Sequence, residues 1–184
     1  ARIDRLPPEE KLLLQQASVI GTDVPLALIE AVTDSPTEAA RASLAALQAA
    51  GFILEASMFP DLEYRFRHIL TRDVAYSSLL KEHRRALHAK AVAGIETLYG
   101  ERLATHLDAV AVHALRGEVW DKALAYNRQL GLRALERAAN QEAVSCFEAA
   151  LRALTHLPPT RATAEAEIEE ALRDTRQRLR TRVT

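Results

Sequence analysis

The sequence changes its hydrophobic period once, and that change limits what the chain can fold into. Beyond Gly51, the residues Phe52, Leu54, Ala56 and Met58 alternate with Ile53, Glu55 and Ser57. Phe59-Pro60-Asp61 reads as a turn, after which Leu62, Tyr64 and Phe66 alternate with Glu63, Arg65 and Arg67. Side chains alternate across a strand, whereas they recur every three or four residues on a helix face. Two alternating runs around a proline turn therefore predict a β-hairpin, the only one in the chain. All other segments carry helical spacing. The chain has 184 residues with 48% hydrophobic but only 5% aromatic content, so the core is expected to be Ala, Leu, Val and Ile. With six glycines and seven prolines it has few breakers, as suits an α-helical protein.

Ahead of the hairpin, three helices are predicted. Pro7-Pro8-Glu9-Glu10 opens the first, with proline in the first turn and acids at the positive end of the helix dipole. Leu12, Leu13 and Val19 are its expected apolar stripe. Gly21-Thr22-Asp23 ends it and is positioned to cap a second helix carrying Leu26, Ile29 and Val32. Asp34-Ser35-Pro36-Thr37-Glu38 starts the third, with Ala40, Leu44 and Leu47 on its apolar face and Gly51 as its stop. Three helices followed by a hairpin is the layout of a winged-helix domain.

From His68 onward the sequence reads as helices: about Ile69 to Leu80, Glu82 to Tyr99, one carrying Leu103, Leu107, Val110, Ala111 and Ala114, and Trp120 to Ala138, with Gly100 and Gly117 as separators. Trp120-Asp121-Lys122-Ala123-Leu124-Ala125-Tyr126 resembles Asn140-Gln141-Glu142-Ala143-Val144-Ser145-Cys146-Phe147 about twenty residues later. Paired helices of this kind resemble tetratricopeptide repeats. Leu130, Gly131, Ala143, Phe147 and Ala150 fall at that repeat's packing positions, while Asn127 replaces its usual aromatic residue. Pro158-Pro159 ends the pair. The last segment, Thr163 to Thr181, carries Glu165, Glu167, Glu169 and Glu170 early and arginines late, an order that complements a helix dipole. The expected organisation is a winged-helix-like domain over 1–80, a helical arm over 81–157, and a capping helix or the start of a further repeat over 158–184.

Charge and motifs narrow the function. The formal net charge is −1, where a nucleic-acid binder usually carries a basic excess. The third helix, from Ser35 to Ala50, has one base (Arg41) and one acid (Glu38) among mostly Ala and Leu. A DNA-reading helix needs side chains that reach base edges and phosphates. No phosphate loop, nucleophile elbow or metal-spaced Cys/His cluster occurs, so no catalytic, cofactor or metal site is expected within these residues. Cys146 lies in an apolar helical stretch and reads as a core residue. A lone cysteine cannot form an internal disulfide, in keeping with a reducing, cytoplasmic setting. No apolar run approaches the length of a membrane span. The chain begins at Ala1 without methionine and is expected to be a piece of a longer protein. Lys81, Arg84, Arg85 and His88 make a basic patch, read either as a solvated helix face or as a docking surface.

The stretch from Tyr64-Arg65-Phe66-Arg67-His68 through Leu80, followed by Arg84-Arg85-x-Leu87-His88, resembles the junction of winged helix and arm in the STAND class of signal-transduction ATPases. It is most similar to bacterial members with tetratricopeptide-like arms, including those fused to adenylate/guanylate cyclase or LuxR-type DNA-binding domains. The resemblance covers about residues 3–157. It implies an upstream P-loop domain, absent here, that binds ATP and ADP. It implies that His68, with Arg67 beside it, meets the phosphate of ADP bound to that domain. It also implies an arm that engages an unidentified protein or small ligand. Arg67 and Ile69 stand where the class usually has Met and Asp around the histidine. Reading the residues alone, His68 can instead cap a helix or pack beside Tyr64. A stand-alone helical-repeat scaffold and a winged-helix DNA-binding regulator are the competing readings.

Overall fold

The computed structural model describes residues 2–33, 35–58, 61–158 and 162–181. Asp34, Phe59, Pro60 and Pro159, on which parts of the turn and cap readings rest, lie outside them. The described residues are mainly helical with one small antiparallel sheet, and they divide into two compact units, 1–100 and 101–184.

In the first unit, α1 (Pro8–Ile20) begins with proline in its first turn and Glu9 and Glu10 beside it. Its inward face is Leu13, Leu14, Ala17 and Val19, while Leu12 is 48% exposed. Leu13 and Val19 thus face inward as expected, while Leu12 does not and Leu14 and Ala17 join the buried face, because α1 is covered by several elements at once: α2 (Leu26–Val32), α3 (Thr37–Ala49), α4 (Ile69–Ser77) and α5 (Lys81–Tyr99) all pack on it. The hairpin forms from β2 (Ile53–Ser57) and β3 (Glu63–Phe66). Tyr64 and Phe66 point inward from β3, as its alternation predicts. In β2 the inward residue is Ile53, not Leu54, and a register irregularity between Glu55 and Ser57 breaks the alternation.

A third strand corrects the two-stranded expectation. Asp23–Pro25 forms β1, and the sheet order is β1-β3-β2. Asp23 is opposite Arg65 and accepts a hydrogen bond from its Nε, and Val24 is buried opposite Tyr64. Asp23 is therefore a strand residue, and Pro25 occupies the cap position of α2. Proline, which cannot donate to a ladder, is tolerated here because β1 is an edge strand. Leu14, Ile29, Leu44, Leu47, Phe52 and Phe66 gather in the core between helices and sheet.

The helix α5, expected to open the arm at residue 81, packs on α1 and α2 instead. Gly94 permits the approach: a Cβ there would stand 3.0 Å from both Ala31 Cβ and Leu28 Cδ1. The first compact unit thus runs to Gly100, not to residue 80.

In the second unit, a 3-10 turn leads into α6 (Leu107–Arg116), α7 (Trp120–Glu136), α8 (Asn140–Leu154) and α9 (Ala162–Thr181), each packing on the next. The twenty-residue echo in the sequence is a repeated turn. The Val119 amide donates to Ala114 O at 2.9 Å, and the Ala139 amide donates to Ala134 O at 2.8 Å. In both turns the residue just before is left-handed, Glu118 and Ala138 each with φ 56°. These are helix ends closed by a left-handed residue in the Schellman manner. Ala114, Ala123, Ala134, Ala143, Ala150 and Ala153 are fully buried, so helix backbones approach closely. Gly131 faces Phe147 across the α7–α8 interface, where a Cβ would lie 2.5 Å from the ring. Asn127 is buried, and its amide donates to Ala123 O of its own helix at 2.8 Å.

Candidate functional site

The hairpin delivers His68 to the start of α4. His68 has extended backbone (φ −134°, ψ 128°), and its carbonyl accepts from the Thr71 amide at 3.0 Å and the Arg72 amide at 3.5 Å. Its imidazole makes no capping hydrogen bond. The side chain is exposed and has no hydrogen-bond partner among the described residues. Its backbone thus forms the cap while its ring is left to solvent. Arg67 is also exposed. Its amide pairs with Phe52 O at 3.0 Å, and its guanidinium carbon lies 4.0 Å from where a Cβ on Gly51 would be. Arg67 thus leans over the turn that precedes β2.

The helix that follows His68 carries its apolar side chains outward. Ala75 is the one buried residue of α4, while Ile69, Leu70 and Val74 are about half exposed or more, Leu70 at 73%. Leu80, just beyond the helix, is also exposed. Sequence spacing marks Ile69, Leu70 and Val74 as apolar positions of one helix. It does not say that they face away from the core, and this face was missed for that reason. A small inward Ala75 lets α4 lie close on α1 and β3, and the larger side chains are left on the outer side.

The basic patch does not stay together. Lys81 and Arg85 are exposed, but His88 is 1% exposed and belongs to the inward face of α5 with Leu87, Ala91, Val92 and Ile95. Its place in a docking patch is corrected accordingly: it lies one turn below Arg84, on the side that α5 turns to the core. Nε2 of His88 is 3.1 Å from the Tyr76 hydroxyl. Arg84 lies over the Tyr76 ring at 5.1 Å and Arg72 at 5.9 Å. Arg72 Nε also donates to Ser18 O, tying α4 to α1. Cation–π pairs of this kind contribute about 0.5–1 kcal/mol at partly exposed sites, and here they orient α4 and α5 on the body of the unit. His88 and Arg84 thus support the candidate face from behind.

Cys146 is half-buried on α8. Burial pushes its thiol pKa up, with Glu142 and Asp108 adding to the effect and Arg137 opposing it. Cys146 thus lies at the margin of the core rather than inside it as expected, and a thiol held protonated is a poor nucleophile. Among the described residues no group of three His, Cys, Asp or Glu side chains could hold a metal ion. None of the described helices is long and apolar enough to cross a membrane.

No protein-family model matches the chain, and no solved structure matches it. A protein of Rhizobium meliloti (strain 1021), described only as uncharacterized, is 29% identical over 136 residues. The match covers 73% of this chain and 13% of that relative, so the chain spans a small part of the length of the protein it resembles.

Proposed function

We propose that this chain is a non-catalytic regulatory module of a larger STAND-type signalling ATPase, in which a winged-helix-like unit senses nucleotide state and a tetratricopeptide-like arm carries it to a partner. The observation that carries this reading is the outward apolar face of α4, set beside the unpartnered imidazole of His68. Covering an apolar side chain of this size stabilises by roughly 1.5–3 kcal/mol, more than the ~1 kcal/mol of an exposed ion pair. Ile69, Leu70 and Val74 are therefore a stronger docking signal than the charges around them. The occupant is the parent protein's own P-loop domain, with His68 donating to a phosphate oxygen of its ADP. The close packing of Gly131 on Phe147 supports the repeat reading of the arm. The parent protein would be cytoplasmic and bind ATP and ADP, its output a nucleotide cyclase or a DNA-binding domain.

The test uses the full-length protein. ADP carried through purification is quantified by chromatography for wild type and for His68→Ala. Loss of retained ADP, or raised basal output, is the expected result. Unchanged retention and output would remove His68 from the nucleotide site.

A stand-alone helical-repeat scaffold is the second reading, favoured by the same Gly131–Phe147 contact. The reading frame upstream of Ala1 separates the two: a Walker motif there supports the relay and its absence supports the scaffold. Direct DNA readout is disfavoured by α3, whose exposed face is mostly alanine and whose Arg41 is paired with Glu30.

A further inference from the structure

Between α8 and α9 lies an open groove of about 870 Å³. Its charged wall comes chiefly from α9, where Arg173, Arg176 and Arg180 share one helix face at three- and four-residue spacing, with Arg152 opposite them on α8. Arg176 is tied to Glu148 at 2.6 Å. The guanidiniums of Arg152, Arg173 and Arg180 have no hydrogen-bond or ion-pair partner among the described residues, and all three side chains are exposed. Glu169 is the remaining acid of the groove, so the unpaired charge there is positive. The half-buried Leu151 and the exposed edge of the largely buried Leu172 supply apolar lining. In a chain whose net charge is −1, this is a local basic surface.

We infer that this groove docks an acidic amphipathic segment of a partner protein. Guanidinium groups pair with carboxylates through two parallel hydrogen bonds and so select acidic side chains geometrically as well as by charge. The regular spacing of the three α9 arginines matches carboxylates repeated three and four apart on a facing helix, with apolar side chains between them seated on Leu151 and Leu172. A small anionic ligand fits less well, since such ligands are usually held in enclosed, mostly apolar pockets, and these arginines line an open surface. Nucleic acid fits less well too, because Glu148 and Glu169 would face its phosphates and the leucines would meet nothing apolar on its backbone.

The test uses the full 184-residue chain and three fluorescein-labelled probes: a designed helical peptide with glutamates three and four apart and leucines between them, a scrambled peptide of the same composition, and a single-stranded oligonucleotide of equal charge. Fluorescence anisotropy should show saturable binding of the patterned peptide that weakens as salt rises. The triple variant Arg152→Gln, Arg173→Gln, Arg180→Gln should weaken it by about tenfold or more. That variant leaves the Arg176–Glu148 pair in place, and circular dichroism checks its fold. If it has lost helix, Arg173→Gln alone, expected to weaken binding about threefold, takes its place. Equal affinity for the scrambled peptide, tighter binding of the oligonucleotide, no binding at all, or indifference of a folded variant would each overturn the inference.

Discussion

Gly131 and Phe147 meet so closely across the α7–α8 interface that a Cβ on residue 131 would lie 2.5 Å from Cε1 of the ring. Real Cβ atoms do not approach so near, so the ring or a helix would have to move. The ring is 1% exposed and has little room to do so. This contact sets the separation of the two helices that form the centre of the second unit.

Gly131→Ala should therefore destabilise the chain although alanine is the better helix former. Overpacking costs typically 1–3 kcal/mol, against about 1 kcal/mol gained from helix propensity. Phe147→Leu opens space at the same spot, so the double variant Gly131→Ala/Phe147→Leu should be more stable than the sum of the single effects predicts. Denaturant unfolding of all four proteins measures the coupling. Additive effects would mean that the two residues do not constrain each other.

The two left-handed turn residues are also informative. Glu118 and Ala138 both adopt φ 56°, where a Cβ is unfavourable. Glycine is relieved of that cost but is more flexible when unfolded. Ala138→Gly and Glu118→Gly should each raise stability by about 0.5–1 kcal/mol, read as a shift of the thermal midpoint. Ala123→Gly, at a buried mid-helix position, should lower it and serves as the control.

Tyr64 predicts an alkaline limb to the stability curve. Burial raises its hydroxyl pKa above the ordinary value near 10, Glu55 adding to the shift and Arg41 opposing it. Between the unfolded and the raised folded pKa the native state holds the proton more tightly than the unfolded chain. Stability from this group is thus fully present below pH ~10 and is lost as pH climbs through the folded value. Tyr64→Phe should flatten the loss above pH ~10. An unchanged alkaline slope in urea titrations would assign the loss to other groups.

The outward face of α4 can be tested in the isolated chain. Leu70→Gln and Val74→Gln should alter stability by no more than about 0.5 kcal/mol, as exposed substitutions do, while reducing binding of a dye that reports exposed apolar surface. A loss of several kcal/mol would mean that these side chains are buried and that no docking face exists there.

Cys146 should react slowly. Its raised pKa and partial burial predict alkylation by iodoacetamide at pH 8 well below the rate of a free thiol, rising to that rate in denaturant. Rapid labelling of the folded chain would contradict the packing role.

Much of the secondary structure was legible in the sequence, because periodicity and breakers are local. The change of period at Gly51, the prolines at helix starts and the separators Gly100 and Gly117 marked elements close to where they form. The strand β1 was not legible: it is three residues long, contains Pro25, and exists only because β3 lies beside it. The place of His68, where hairpin runs into helix, could be read from the chain, but the direction of its ring and of Leu70 could not. His88 shows the same limit, since a basic neighbourhood in sequence says nothing about which side of α5 meets the core.

The sequence by itself determined the kinds of element, their order, and the small residues Gly131, Ala143 and Ala150 that close packing requires. Only the tertiary structure decided that Leu14 rather than Leu12 faces inward, that α5 belongs to the first unit, and that α4 turns its apolar side outward. The reason is physical. Helix and strand formation depend on neighbours a few positions away, whereas burial depends on which distant segments arrive to cover a face. On α4 the small Ala75 took the inward place and left Ile69, Leu70 and Val74 uncovered beside His68.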